Sequence, residues 1–349
     1  VKVGTNTLID ANNHIRHEVI RNILAAASQV SKTDKRVVVV TSGATKLGRI
    51  IGQDQTLSTA IAASLGQPVL FASYAQEAEV IGITLAEFLI TRPTLVRREQ
   101  FLRLQNTFEE LFAKQVVPVV NENDALTAGT DWSFGDNDSL AAALAIAFKA
   151  EQLIILSHIE GLFDSDPDKN PNARLIEQVD DINSELLKVS ATAVSTGGRG
   201  GMLSKLKAAR ICTAIGIKTR VVNGLVLENL ARVLQGEQVG TTFIPRAAEH
   251  ILSNRERWLL AAKNSDGSVE IDNGAVTALK SGKSLLAVGV RRVYGQFETK
   301  EIIEVVDEQR RGIAFGIVDY AKSEIENMLS LQGTAGKQLI HANNMIVLK

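Results

Sequence analysis

The strongest constraint on this chain is a set of short, wholly apolar runs separated by longer stretches with helical spacing. Arg36–Val40 reads Arg-Val-Val-Val-Val, Val116–Val120 reads Val-Val-Pro-Val-Val and Leu153–Leu156 reads Leu-Ile-Ile-Leu. A strand that alternates apolar and polar residues has one covered face; a strand without alternation must be covered on both. Helical candidates lie between the runs, over Arg97–Lys114 and Ser139–Ala150. The second is rich in Ala and Leu behind a polar first turn, Asp136-Asn137-Asp138-Ser139, as a capped helix requires. Strand and helix alternating over residues 1–245 predict an open, mostly parallel α/β sheet sandwiched by helices. Phe101, Phe108 and Phe112 fall seven and four residues apart, the spacing of a helix face packed on the core. Cys212 lies in a helical pattern and reads as a small buried apolar residue rather than a nucleophile.

After Thr241–Pro245 the character changes. Residues 246–257 are polar and read as a linker, and Trp258 opens a region of short alternating runs. Gly267–Ile271, Ser284–Leu286 and Ile302–Val306 predict a small β-rich domain over 258–349. The whole chain of 349 residues suits two domains, at ~150 residues each.

Charge narrows the function. Lys+Arg 38 against Asp+Glu 39 leaves a net charge of −1, which argues against a dedicated binder of nucleic acid or membrane surfaces. No apolar run approaches the ~18 residues that cross a bilayer. A single cysteine cannot form an intrachain disulfide, which points to a reducing, cytoplasmic setting. No signal peptide is expected, and because the chain opens in a strand-like Val1–Gly4 without Met, a few residues are expected to precede it.

Four polar, glycine-containing stretches adjoin the strand-like runs: Lys2–Asn6, Thr41–Ala44, Asn121–Asp124 with Gly135–Asp138, and Gly200–Lys205. In an open α/β sheet, ligands bind beyond the carboxyl ends of the strands, where glycines let backbone approach an anion and helix N-termini favour phosphate. Turns are rich in Gly, Asn and Asp for conformational reasons alone, so each stretch is weak singly. There is no Walker A motif, kinase-type glycine loop or G-x-G-x-x-G after the first strand, so the common nucleotide folds are not supported.

The combination and order of these stretches, with Gly161-Leu162-Phe163 and Asp166-Pro167, resemble the amino-acid kinase family. Within it they resemble the branch that phosphorylates free L-glutamate. The C-terminal part, from Arg257-Trp258 through Asp272-Asn273-Gly274-Ala275 to Ala314-Phe315-Gly316, resembles the PUA domain that many members of that branch carry. The resemblance covers nearly the whole chain. It implies transfer of the γ-phosphoryl of ATP, with Mg²⁺, to the side-chain carboxylate of L-glutamate, the first step of proline synthesis. It also implies proline as feedback inhibitor, assembly into dimers or tetramers, and functional pairing with glutamyl phosphate reductase.

Residue by residue, Lys2 and Lys205 match the family's catalytic lysines and Asp138 the carboxylate that holds them. Ser42, Asn121, Asp124, Asp136 and Asn137 match its glutamate pocket. Lys2, Gly4, Gly43, Ser157, His158 and the run Arg199, Gly200, Gly201, Met202, Leu203, Ser204, Lys205 match its ATP site. The charges make sense: attacking carboxylate and phosphate are both anions, repelling by roughly 4 kcal/mol at ~4 Å and an effective dielectric of about 20. Fixed cations are needed, and no general base, since a carboxylate has no proton to lose. Ser42 equally fits a turn residue that caps the next helix, and Asp138 a first-turn acid favoured by the helix dipole.

Some positions depart from the family. Ser157-His158 stands where Thr-Asp is usual, which removes a carboxylate from the nucleotide region; with no second ligand candidate beside it, His158 is not expected to bind metal. Arg199 replaces a common Thr or Ser, either as a further phosphate contact or as a solvated loop residue. Asn6 and Thr45 replace a common Ser and a common apolar residue. Competing readings are an acetylglutamate, aspartate or uridylate kinase, a PUA-mediated RNA-interacting protein, and a regulatory pseudokinase suggested by His158 alone. Residues 258–349 carry 11 Lys+Arg and 11 Asp+Glu, a zero balance that disfavours RNA. Retained Lys2, Lys205 and Asp138 disfavour the pseudokinase.

Overall fold

The computed structural model describes residues 1–33, 35–167, 169–182, 186, 201–245, 253–261, 267–330 and 336–348. The chain forms two compact units, the first holding Val1–Ile182, Leu186–Thr213 and Ile217–Pro245 and the second chiefly Arg246–Lys349.

The first unit is built on eight strands: β1 (Lys2–Val3), β2 (Val39–Val40), β3 (Leu85–Ile90), β4 (Val117–Glu122), β5 (Gln152–Ser157), β6 (Gln178–Val179), β7 (Lys218–Asn223) and β8 (Thr241–Phe243). They form one sheet in the order β3-β4-β2-β1-β5-β7-β8-β6. Neighbours pair parallel except β7 with β8, the mostly parallel sheet expected. β4 is buried at every residue and β5 at all but its first, as their unbroken apolar runs require. One core joins Ile20, Ile23 and Leu24 of the His17–Ser31 helix to Val3, Val39, Val117 and Val119 on three adjacent strands. The Arg98–Ala113 helix buries Phe101 and Phe108, and Phe108 stacks on Phe148 with centroids 4.7 Å apart. Cys212 is fully buried, which pushes its thiol up to about 12.

Three expectations need correction. The strand predicted over Arg36–Val40 is only Val39–Val40, the two residues that find ladder partners, Val119 and Val120 on β4 and, for Val40, Lys2 on β1. The helix predicted over Ser139–Ala150 runs Asn137–Ala147, starting two residues early because Asp136 caps it, its Oδ1 accepting from the Ser139 N–H at 2.8 Å. Trp258 does not open a strand region; it lies in the helix Asn254–Ala261, which begins inside the segment 246–257. Ser253 and Glu256 form a reciprocal cap there, Ser253 N–H to Glu256 Oε2 at 2.7 Å and Glu256 N–H to Ser253 Oγ at 3.3 Å. That Ser-x-x-Glu signature is legible in the sequence. Residues 246–252 lie outside the described residues.

The second unit has β9 (Ser268–Ile271), β10 (Leu285–Leu286), β11 (Val290–Tyr294), β12 (Ile302–Val306), β13 (Gly312–Ile317), β14 (Gln338–Ile340) and β15 (Met345–Val347). Five form a sheet in the order β11-β9-β12-β13-β15, and β10 pairs with β14. Val269, Ile271, Ile303, Val305 and Ala314 form its core with Leu279 and Ile325 from two helices.

Candidate active site

Parallel pairing puts the carboxyl ends of β1, β2, β4 and β5 on one edge of the sheet. From those ends issue Gly4–Thr5, Thr41–Gly43, Asn123–Asp124 and His158, and they meet around a cleft of about 540 Å³ in the first unit. Each of the four polar stretches thus lends residues to the cleft, Asp136 and Asn137 entering from the start of the Asn137–Ala147 helix and Lys205 from the Met202–Ala214 helix.

The electrostatic centre is Asp138, fully buried behind the cleft. Lys2 Nζ lies 2.8 Å from its Oδ1, and Lys205 Nζ lies 3.4 Å from its Oδ2. Ser204 Oγ donates to the same Oδ2 at 2.6 Å. Burial alone would raise the Asp138 carboxyl, but the two ammonium groups and the hydrogen bonds outweigh it and hold the group below the usual carboxylate range. Burial lowers the Lys205 amine, with Asp138 opposing that shift. Two lysines 203 positions apart in the chain, Lys2 and Lys205, therefore share one buried acid at the cleft wall.

The pocket side is a web of amides. Asn137 Nδ2 has three acceptors for its two N–H groups, the Thr41 carbonyl at 2.8 Å, Asn121 Oδ1 at 2.9 Å and Ser42 Oγ at 3.1 Å. Ser42 does not cap the next helix; Gly43 occupies that cap at a φ of 107°, in the left-handed region that favours glycine. Asn121 is the penultimate residue of β4 rather than a loop residue. Its Oδ1 also accepts the Glu122 N–H at 3.0 Å. Asp124 begins the short helix Asp124–Thr127 and lines the cleft. Burial, then the neighbouring Asp138 charge, raises the Asp136 carboxyl, a state that an approaching ammonium group would relieve.

Gly4 and Gly43 both line the cleft, but the Gly4 N–H is committed to the Leu156 carbonyl at 3.0 Å. Just beyond, the N–H groups of Thr5 and Asn6 after β1 and of Ala44 and Thr45 after Gly43 have no backbone partner among the described residues. They open helices and face the same cleft, a favourable setting for an anion. Ser157 ends β5 and is buried, while His158 is exposed at the rim. The Gly201 carbonyl lies 2.8 Å from the same Ser204 Oγ as a second acceptor for its one proton, and Met202 and Leu203 open the helix that carries Lys205. Arg199 and Gly200 lie outside the described residues.

Cleft residues that the sequence reading assigned no role include Lys46, Arg49 and Glu122. The two cations sit three apart on the helix that Gly43 starts, so helical spacing from that glycine was the available signal. Glu122 is buried, and its Oε1 accepts from Thr127 Oγ1 at 2.8 Å and from the Phe134 N–H at 2.9 Å, tying the two pocket loops together.

An open parallel sheet with phosphate-ready helix starts at its carboxyl edge and buried lysines on a shared acid defines a phosphotransferase of the amino acid kinase type. The chain belongs to that family: the amino acid kinase family model matches residues 1–223, and a PUA domain model matches 267–336. Over its full length the chain is 34% identical to the glutamate 5-kinase of Caldanaerobacter subterraneus subsp. tengcongensis, of which 97% is covered. It is 35% identical to the glutamate 5-kinase of Geobacter metallireducens, of which 96% is covered. The crystal structure of an isopentenyl phosphate kinase substrate complex superposes with a TM-score of 0.50 at 18% identity, over 69% of this chain and 97% of that one. That likeness concerns the fold.

Proposed function

We propose that this chain transfers the γ-phosphoryl group of ATP to the side-chain carboxylate of L-glutamate, giving an acyl phosphate. The observation that carries the reading is the Lys2–Asp138–Lys205 arrangement at the cleft wall, in a chain related over its full length to glutamate 5-kinases.

The γ-phosphoryl lies against the N–H groups of Thr5, Asn6, Ala44 and Thr45, with Lys2 and Lys205 neutralising the phosphate oxygens. Asp138 aims both ammonium groups and takes no proton. The glutamate α-ammonium meets Asp136 and Asp124, and Ser42 Oγ remains able to donate its proton to a substrate carboxylate. No residue need act as base. Mg²⁺ fits this site as a passenger of the nucleotide: both Asp138 oxygens face lysines, and no group of three His, Cys, Asp or Glu side chains forms a metal site among the described residues. When bound, the ion offsets charge on the β- and γ-phosphates. Gly201, Met202, Leu203 and Ser204, with Ser157, His158, Arg199 and Gly200, form the nucleotide side of this proposal.

The family resemblance adds proline as feedback inhibitor, a dimer or tetramer, pairing with glutamyl phosphate reductase, and a cytoplasmic setting. No helix among the described residues is long and apolar enough to cross a membrane. A coupled assay of ADP release with a panel of acidic acceptors tests the reading, and glutamate-dependent turnover that proline suppresses is the expected result. Turnover with N-acetylglutamate or aspartate but not with L-glutamate would overturn it.

A further inference from the structure

One hydrogen-bonded chain leads out of the pocket, away from every residue that faces the reacting groups. Asn137 Nδ2 donates to Asn121 Oδ1, Asn121 Nδ2 donates to Gln67 Oε1 at 2.7 Å, and Gln67 Nε2 donates to Glu87 Oε1 at 2.6 Å. It passes from the Asn137–Ala147 helix through β4 and the Thr59–Ile81 helix to Glu87 on β3, the strand at the sheet's edge.

The chain has a direction. A carboxylate only accepts hydrogen bonds, so Glu87 selects the amide nitrogen of Gln67 and turns its carbonyl oxygen toward Asn121. That oxygen in turn selects Asn121 Nδ2, leaving Asn121 Oδ1 for Asn137 Nδ2 and the Glu122 N–H. A flipped Asn121 would set donor against donor at Asn137 and at the Glu122 N–H, and acceptor against acceptor at Gln67. With its nitrogen pinned by Thr41, Ser42 and Asn121, Asn137 keeps one free function: its Oδ1 accepts no hydrogen bond among the described residues, and the residue lines the cleft.

We infer that Gln67, oriented by Glu87, is a positioning residue that fixes the polarity of the substrate pocket, so that Asn137 presents a carbonyl acceptor to the α-ammonium of the amino-acid substrate. The inference rests on the glutamate reaction proposed above. Gln67 itself touches no substrate. Its position follows from the helix contact beside it: a Cβ on Gly66 would collide with the Ala44 carbonyl oxygen, so glycine lets the Thr59–Ile81 helix approach the Ala44–Ile51 helix closely.

Steady-state kinetics of the full chain test this. Gln67→Leu keeps the bulk and removes the acceptor; KM for L-glutamate rises about tenfold, the scale of one lost hydrogen bond, while KM for ATP stays within about twofold. Gln67→Glu alone opposes Glu87 with a like charge and also raises KM for glutamate. The double variant Q67E/E87Q restores it, because the acceptor-only group now faces Asn121 and receives the new amide from β3. An unmoved glutamate KM in Gln67→Leu, a parallel rise in both KM values, or a double variant no better than Gln67→Glu overturns the relay. A wild-type chain without glutamate turnover overturns the reaction itself, and the relay with it.

Discussion

At Asp138 a single side chain carries the opposing forces of the site. Burial favours its neutral form, yet its partners hold it ionised and below the usual carboxylate range. A carboxyl depressed in the folded state contributes stability that is fully present above its unfolded value, ~3.9, and is lost only as pH falls through the lower folded value. Asp138→Asn leaves two buried ammonium groups facing a neutral amide. We expect it to abolish turnover and to cost about 3–5 kcal/mol, the scale of a broken buried ion pair, read by urea unfolding. Lys205 behaves oppositely. Burial lowers its amine, so the ammonium form on which the proposed role depends is present at low pH and disappears as pH rises. The alkaline limb of kcat should therefore fall below the ordinary lysine value of ~10.4, and Lys205→Ala should stay folded without turnover. A limb at or above that value, or a near-normal Lys205→Ala, would remove Lys205 from the reaction.

Elements differed in how much of them could be read from sequence. β4, β5 and the Arg98–Ala113 helix stand close to where their patterns put them, because a buried parallel strand and a capped amphipathic helix each impose a local signature. The four polar stretches were legible as a set for a related reason: in a parallel sheet every strand ends on the same edge. What stayed hidden depends on distant contacts. Gln67 looks like any polar residue on a helix, and its bond to Asn121 spans 54 positions. The roles proposed for Lys2, Lys205 and Asp138 came from the family resemblance, not from spacing, since their meeting joins three segments far apart in the chain. The Gly66 crossing is equally silent in sequence, and it yields a prediction. Gly66→Ala sets a methyl against the Ala44 carbonyl, where backbone meets backbone and no flexible side chain can give way. We expect a loss of about 1–3 kcal/mol, the cost of overpacking, with a raised KM for glutamate as Gln67 is displaced. Unchanged urea unfolding would show that the two helices separate freely.

At the scale of the whole molecule, every described residue around the cleft belongs to the first unit, while the second has its own core. A ligand that binds only the folded form stabilises it by RT ln(1 + [L]/Kd), about 2.7 kcal/mol at a hundredfold excess over Kd. That gain accrues to the unit that forms the site. Calorimetry of the full chain should therefore resolve separate transitions, with L-glutamate and a non-hydrolysable ATP analogue raising the midpoint of one and leaving the other in place. The zero net charge of residues 258–349 makes a parallel case about RNA: without an excess of cations there is little counterion release to drive phosphate binding. Added RNA should then leave the second transition unmoved at low salt, where such binding is strongest. If both transitions rise together with glutamate and nucleotide, the two units unfold as one, and the second contributes to the stability of the site despite lending it no side chain among those described.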